Sequence, residues 1–348
     1  MNASSLRFTS SAAYAGFLCK AALLVAGLAA SFAPSLTRAD LYVVDSDLVD
    51  RFDSSTGAIV QTNAQDTFTT LFGATGITVG PDGLVYVATS NPGINPGLPV
   101  VNRYNANTGA QVGGAFVPYV NGAAQVSIAA GIAFGPDGNF YIADAGGGAV
   151  QSFSGGGGYL GTYGTQGGSP QSVAFNSAAP GNVHVATGST IERIDLTTHA
   201  NTIVVQGASN PLTFNNGSDL KFGPDGKLYV LDTSSGDPRI VSFNADGTGQ
   251  SEFVDFTSAE FASEVFQPSN FDFGPDGALY VSGINFESLS PQSGEILRIS
   301  SDGASFSDFV TNLNSPGFLT FTSVPEASPL LFGSVLIVGL LCWRRFAR

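Results

Sequence analysis

Ile77-Thr78-Val79-Gly80-Pro81-Asp82-Gly83-Leu84-Val85-Tyr86-Val87 is the stretch on which the fold turns. Apolar residues alternate on both sides of Gly-Pro-Asp-Gly, the period of a half-buried strand. Within the turn, Pro81 presets φ, Asp82 bonds the local backbone and Gly83 accepts positive φ, so the stretch reads as a β-hairpin. The same pattern returns at Ile132 to Ile142, Leu220 to Val230 and Phe271 to Val281. A degenerate copy runs from Val173 to Val185, with Asn176-Ser177-Ala178-Ala179-Pro180-Gly181 in place of the tight turn.

A second element accompanies the hairpins: Val49 to Asp53, Val101 to Asn105, Val150 to Phe153, Ile191 to Asp195, Ile240 to Asn244 and Ile296 to Ile299. Most copies run on through a polar turn, such as Thr108-Gly109 or Asp246-Gly247, into another short apolar segment. Each unit is therefore expected to hold four strands. The second strands begin near Leu41, Leu84, Phe140, Val183, Leu228 and Leu279, spaced by 43, 56, 43, 45 and 51 residues. Four-stranded repeats of this size are the blades of a β-propeller. The first unit lacks a first strand, and Gly317-Phe318-Leu319-Thr320-Phe321 is a first strand with nothing after it. Pairing of the two chain ends completes six blades and removes the open sheet edges.

Composition agrees with an all-β chain. The 348 residues include 44 Gly, 18 Pro and 27 Phe, and carry 13 basic against 27 acidic side chains, a net charge of −14. Nucleic-acid binding, which requires basic surface to neutralise phosphates, is excluded on this balance. The ends differ from the middle. Residues 1–39 hold Arg7 and Lys20, an apolar run from Ala21 to Ala33, and Thr37-Arg38-Ala39, the layout of a signal peptide cleaved after Ala39. Leu330 to Trp343 is uncharged and precedes Arg344, Arg345 and Arg348. At 14 residues this run is shorter than the ~20 of an independent membrane span, so residues 323–348 read as a sorting segment with a short apolar helix. The arginines would remain cytoplasmic and everything before Pro325 would be exported. Both cysteines, Cys19 and Cys342, lie in these ends, so residues 40–322 contain neither a disulfide nor a thiolate. That propeller segment has 26 acids and 7 bases and is more acidic than the whole chain, at −19.

Two resemblances follow. Val324-Pro325-Glu326-Ala327-Ser328, the apolar run and Arg344-Arg345 resemble the PEP-CTERM sorting tail of Gram-negative bacteria, with Ala327 where a second Pro is usual. The resemblance implies transient inner-membrane insertion, processing by an exosortase-type enzyme and delivery to the cell surface or extracellular matrix. The succession Gly-Ile-x-Phe/Val, Pro-Asp-Gly, Leu-Tyr-Val-x-Asp and Ile-x-Arg-Ile resembles NHL-repeat propellers and their relatives, regucalcin-like lactonases and streptogramin B lyases. That likeness implies an architecture more than a chemistry.

In the lactonase relatives, Glu, Asn and Asp at a channel mouth hold a divalent cation beside an acidic base. The positions leading into the innermost strands here are Thr75-Gly76, Ala130-Gly131, Gln171-Ser172, Ser218-Asp219 and Ser269-Asn270. Of these only Asp219 and Asn270, with Asn215 or Asn216 upstream, offer comparable ligands for Ca²⁺ or another divalent cation. The lyase relatives use a His and a Glu, whereas His184 and His199 lie in a strand and a turn and are expected to be structural. Asp82, Asp137, Asp225 and Asp276 belong to turns, and Asp45, Asp144 and Asp232 are expected to cap strands. Asp45, Asp47, Asp50 and Asp53 form an acidic cluster without the Gly and distal Glu of a calcium loop. The sequence thus favours an exported, non-catalytic binding or scaffold propeller for polysaccharide or another exported protein, requiring no cofactor. Binding would use loop faces, notably 91–100 and 116–130. The alternative is a divalent-metal-dependent lactonase or lyase using Asp219 and Asn270.

Overall fold

The computed structural model describes residues 39–46, 48–61, 73–89, 101–118, 126–206, 217–234, 236–258, 261, 266–286 and 293–322. Residues 1–38 of the expected signal peptide, the expected sorting segment, Asp47, Asn215, Asn216, the loop 91–100 and residues 119–125 of the loop 116–130 lie outside them. Every regular element described is a strand, and no helix among the described residues is long and apolar enough to cross a membrane.

The strands in chain order are β1 (Asp40–Asp45), β2 (Leu48–Asp53), β3 (Ile59–Gln61), β4 (Ala74–Val79), β5 (Leu84–Thr89) and β6 (Val101–Asn105). Next come β7 (Ala129–Phe134), β8 (Phe140–Asp144), β9 (Ala149–Phe153), β10 (Tyr159–Gly164), β11 (Ser172–Phe175), β12 (Asn182–Ala186), β13 (Thr190–Asp195) and β14 (Asn201–Gln206). The last are β15 (Gly217–Phe222), β16 (Leu228–Asp232), β17 (Arg239–Phe243), β18 (Ser251–Asp255), β19 (Phe266–Phe273), β20 (Leu279–Asn285), β21 (Ser293–Ile299), β22 (Phe306–Leu313) and β23 (Pro316–Phe321). They form six antiparallel sheets, numbered here as blades 1 to 6 from β23-β1-β2-β3 to β19-β20-β21-β22. Their innermost strands pack in succession, β23 on β4, β7, β11, β15 and β19, and β19 returns to β23. This closed circuit makes the chain a six-bladed β-propeller.

Closure joins the two ends. Leu41 pairs with Phe321, Tyr42 with Thr320 and Val43 with Leu319. Asp45 fixes the connection into β23 by accepting the backbone N–H groups of Asn314 at 3.0 Å and Ser315 at 2.6 Å. Asp144 and Glu192 do the same for the connections entering their own blades. Asp144 takes the N–H groups of Ser127 and Ile128, both at 2.9 Å, and fully buried Glu192 takes those of Gln166 and Gly167.

Hydrophobic cores lie between neighbouring blades, which leaves the channel to other residues. Leu41, Val43, Tyr280, Ile296 and Leu319, for example, seal blade 6 against blade 1, and Tyr42, Val44, Ile77, Val85 and Tyr104 seal blade 1 against blade 2. One expectation is corrected: among the described residues blade 2 has three regular strands instead of four. Its outer segment touches β6 through isolated bridges at Gln111 and Val117, because Gly113, with φ of 70°, and Gly114 interrupt the pairing between them.

The recurrent turn is a three-residue device. In each Pro-Asp-Gly turn one Asp oxygen accepts the N–H two residues on, as Leu84 donates to Asp82 at 3.1 Å. The other accepts a tyrosine hydroxyl four residues on: Tyr86 at 2.9 Å, Tyr141 at 2.8 Å, Tyr229 at 3.0 Å and Tyr280 at 3.2 Å. Burial, followed by the bond to the carboxylate, pushes the Tyr86 hydroxyl up to about 12. The ring of each tyrosine meets a phenylalanine of the following blade's inner strand, Phe134, Phe175, Phe273 or Phe321, at 4.9 Å between centroids. Offset or edge-on aromatic pairs at this separation add about 0.5–1.5 kcal/mol beyond area burial. Directly across from the tyrosine stands the third-strand residue, Arg103 beside Tyr86 and Arg298 beside Tyr280. Arg298 closes onto Asp276 at 2.6 Å. In blade 6 the arginine of Ile-x-Arg-Ile therefore holds the turn aspartate that also accepts the tyrosine hydroxyl.

In the degenerate blade His184 occupies the tyrosine position. It is 1% exposed, meets Phe222 edge-on at 5.0 Å, and donates from Nε2 to the Ala245 carbonyl at 3.1 Å. Burial pushes its imidazole down to about 4. An unfolded histidine titrates near 6.5, so between these values the unfolded chain binds the extra proton. The stabilising contribution is complete above about pH 6.5 and is lost as pH falls towards 4. Roughly 2 kcal/mol should disappear between pH 8 and pH 5. Urea unfolding of His184→Phe should lack that share of the acid loss, and an unchanged pH dependence would contradict it.

Candidate functional site

The inner strands set the site. Gly76, Gly131, Ser172, Asp219, Asn270 and Phe318 occupy the equivalent position in the six innermost strands, one residue before the buried Ile77, Ile132, Val173, Leu220, Phe271 and Leu319. Blades 2 and 3 require glycine there. A Cβ on Gly76 would stand 2.8 Å from the Ala130 carbonyl oxygen, and one on Gly131 would stand 2.7 Å from the Ser172 Cα. Blades 4 to 6 place polar groups at the same level, each 3% exposed.

These groups bond to one another. Ser172 Oγ donates to Asp219 Oδ1 at 2.6 Å, the Leu220 N–H donates to the same oxygen at 2.8 Å, and Asn270 Nδ2 donates to Asp219 Oδ2 at 2.7 Å. Asn270 Oδ1 in turn accepts the Leu319 N–H at 3.2 Å, which fixes the amide orientation. The result is a polar belt through blades 4, 5 and 6 to the closing strand of blade 1. The proposed pair, Asp219 and Asn270, is thus brought together, each on the other, while Asn215 and Asn216 lie outside the described residues.

Two residues further along the strands, the side-chain period of 2 returns to the same face. Thr78, Ala133, Ala174, Lys221, Asp272 and Thr320 stand there. Lys221 Nζ lies 3.6 Å from Asp219 Oδ1, and its side chain keeps 26% of its surface. Burial pulls the Lys221 ammonium down, but the carboxylates of Asp219 and Asp272 outweigh it and hold the value above that of a free lysine. Burial raises the Asp272 carboxyl, and Lys221 pulls part of that shift back. The chain's own ammonium thus supplies the positive charge between two carboxylates. A divalent ion at Asp219 would have to displace Lys221 and turn an amide that Leu319 holds. The sequence pattern does not mark Lys221 and Asp272, which stand one strand period beyond the residues leading into each inner strand.

The remaining candidates disperse. Asp53 accepts from the N–H groups of Ser55 and Thr56 and from Ser55 Oγ, a local turn. His184 faces Phe222 of the following blade, and His199, at φ of 60°, packs at a tilt against Tyr163 of the preceding one, 4.6 Å between centroids. Among the described residues no three His, Cys, Asp or Glu side chains are grouped to hold a metal.

No family model matches the chain, and no curated protein matches it in sequence. Solved propellers do match in shape. The structure of a nidogen/laminin complex aligns with a TM-score of 0.60 at 12% identity, covering 82% of this chain and 99% of that one. A protein of unknown function from Bacteroides caccae aligns at 0.56 and 13% identity over 83% and 100% of the two chains. A putative 6-phosphogluconolactonase from Bacteroides uniformis aligns at 0.52 and 12% identity over 82% and 100%. At these identities the likeness establishes the propeller fold and nothing finer.

Proposed function

We propose that this propeller is an exported surface or matrix protein that binds polysaccharide or another exported protein and performs no chemistry of its own. The observation that carries the reading is the belt: both Asp219 oxygens and the Asn270 amide are committed to neighbouring blades, with Lys221 as counter-ion. A catalytic cation site would need those oxygens open towards the channel. Recognition then falls to the rims and loops, where adaptable Asn, Gly, Pro and Tyr residues are concentrated. The PEP-CTERM-like tail gives the route, through the inner membrane with exosortase-type processing, to the cell surface or extracellular matrix.

The test uses residues 39–323, the compact unit that holds all six sheets. Lactone hydrolysis with and without added Ca²⁺, Mg²⁺ or Mn²⁺ should stay at the rate of the buffer, while the protein co-sediments with the matrix polysaccharide of the producing strain or with a protein it exports. Metal-dependent turnover lost in a correctly folded Asp219→Asn variant would establish the lactonase or lyase reading in its place. Deleting residues 324–348 should abolish surface delivery, and unchanged delivery would overturn the proposed route.

A further inference from the structure

Charge is unevenly distributed around the ring. Residues 40–144 carry nine acids and two bases, and residues 219–322 carry fifteen acids and four bases. Residues 145–218 carry only Glu192, Arg193 and Asp195, and the run from 145 to 191 has no charged residue at all. Since Glu192 is fully buried, the two outer strands of blade 3 and the whole of blade 4 form a nearly neutral sector of an otherwise acidic molecule.

Among the described residues, the outer edge of this sector carries no charge. Outermost strands offer unpaired backbone groups to other chains, and proteins blunt them with charges, irregular pairing or very short strands. Strand β18 carries Glu252 and Asp255, β22 carries Asp308, β3 has three residues, and blade 2 has an interrupted fourth strand. Strand β10, Tyr-Leu-Gly-Thr-Tyr-Gly, has one register shift, between Tyr159 and Gly161, but no charge, and it exposes 41% of Tyr159 and 56% of Leu160. Tyr159 is held rigid there, bonded through its hydroxyl to Thr162 Oγ1 at 2.7 Å and packed edge-on against Phe153 at 5.6 Å. The uncharged strand β14 continues the surface, with Asn201 Nδ2 donating to the Gly164 carbonyl at 2.9 Å and Ile203 37% exposed.

We propose that β10 is a self-association edge, on which a second copy of this chain pairs its own β10 antiparallel about a two-fold axis. Charge selects the occupant. Two molecules this acidic repel wherever their other sectors meet, whereas contact through the outer strands of blade 3 and blade 4 keeps those sectors apart. A two-fold pairing also uses one patch on both copies, so it closes at the dimer. The inference is independent of the function proposed above, because it concerns the chain's own copy and requires no polysaccharide.

Sedimentation equilibrium of residues 39–323 between roughly 1 and 200 μM, the range suited to a small interface, tests it. A monomer–dimer equilibrium that tightens as added salt screens the acidic sectors is expected. Leu160→Glu should weaken it by roughly tenfold or more, since a buried leucine contributes at least that much. Ile59→Glu, on the 51% exposed residue of β3, should leave it unchanged. Backbone hydrogen exchange over 159–164 should slow at the higher concentration, a readout that does not depend on any variant. A monomer throughout, a dimer indifferent to Leu160→Glu, or exchange protection at another edge would overturn the proposal.

Discussion

Asp219→Ala should lower the unfolding free energy of residues 39–323 by about 3–5 kcal/mol, the range for breaking a buried, hydrogen-bonded charge cluster. The loss exceeds one hydrogen bond because the carboxylate serves Ser172, Leu220 and Asn270 together, with Lys221 as its ion partner. Its removal leaves a serine hydroxyl and an amide N–H inside the ring without an acceptor, and brings the Lys221 ammonium closer to a bare buried charge. Each stranded polar group costs about 1–3 kcal/mol. Asp219→Asn should cost less, because its carbonyl oxygen still accepts from one side. Urea denaturation of the two variants beside the parent measures the difference. Equal, small losses would show that the belt contributes little to the ring.

Removal of β23, leaving residues 39–315, should abolish cooperative unfolding. The strand supplies the inner edge of blade 1, buries Leu319 to 1% exposure, and sets Phe321 against Tyr280 at 4.9 Å. Its departure also frees Asn270 Oδ1 from the Leu319 N–H and Ser282 Oγ from the Gly317 carbonyl. A fully buried leucine or phenylalanine contributes about 1.5–3 kcal/mol, and whole domains are stable by only about 5–15 kcal/mol. The open ring would in addition expose β1 and β19 along their length. Near-UV circular dichroism against temperature should show no sharp transition, and a synthetic 316–322 peptide should restore part of it. A truncated chain that melts like the parent would contradict closure by the two ends.

The ring could be read in advance because its determinants are local. Each Pro-Asp-Gly turn announces its hairpin through three residues, and the strands that follow start at Leu84, Phe140, Leu228 and Leu279, where the repeat spacing puts them. The broken outer strand of blade 2 turned on Gly113-Gly114, a weak signal within an apolar run. The partners of the turn aspartates were harder to foresee. Tyr86 stands four residues beyond Asp82, a distance that brings a hydroxyl back to a turn only once the hairpin has formed. At the channel, convergence of Asp219 and Asn270 was legible because equivalent residues of consecutive blades become neighbours. Lys221 was not, although strand periodicity returns it to the face of Asp219. The clasps of Asp45 on Asn314 and Ser315, of Asp144 on Ser127 and Ile128, and of Glu192 on Gln166 and Gly167 depend on connections that no local pattern fixes.

The fold itself satisfies the Asp219 carboxylate. Thermal unfolding of residues 39–323 in millimolar Ca²⁺, Mg²⁺ or Mn²⁺ against chelator tests it most directly. A cation bound at a hundred times its dissociation constant would add about 2.7 kcal/mol, which for a domain of this size corresponds to a rise of roughly 5 °C. The midpoint should not move with any of the three ions. A rise of that size, absent in Asp219→Asn, would contradict it.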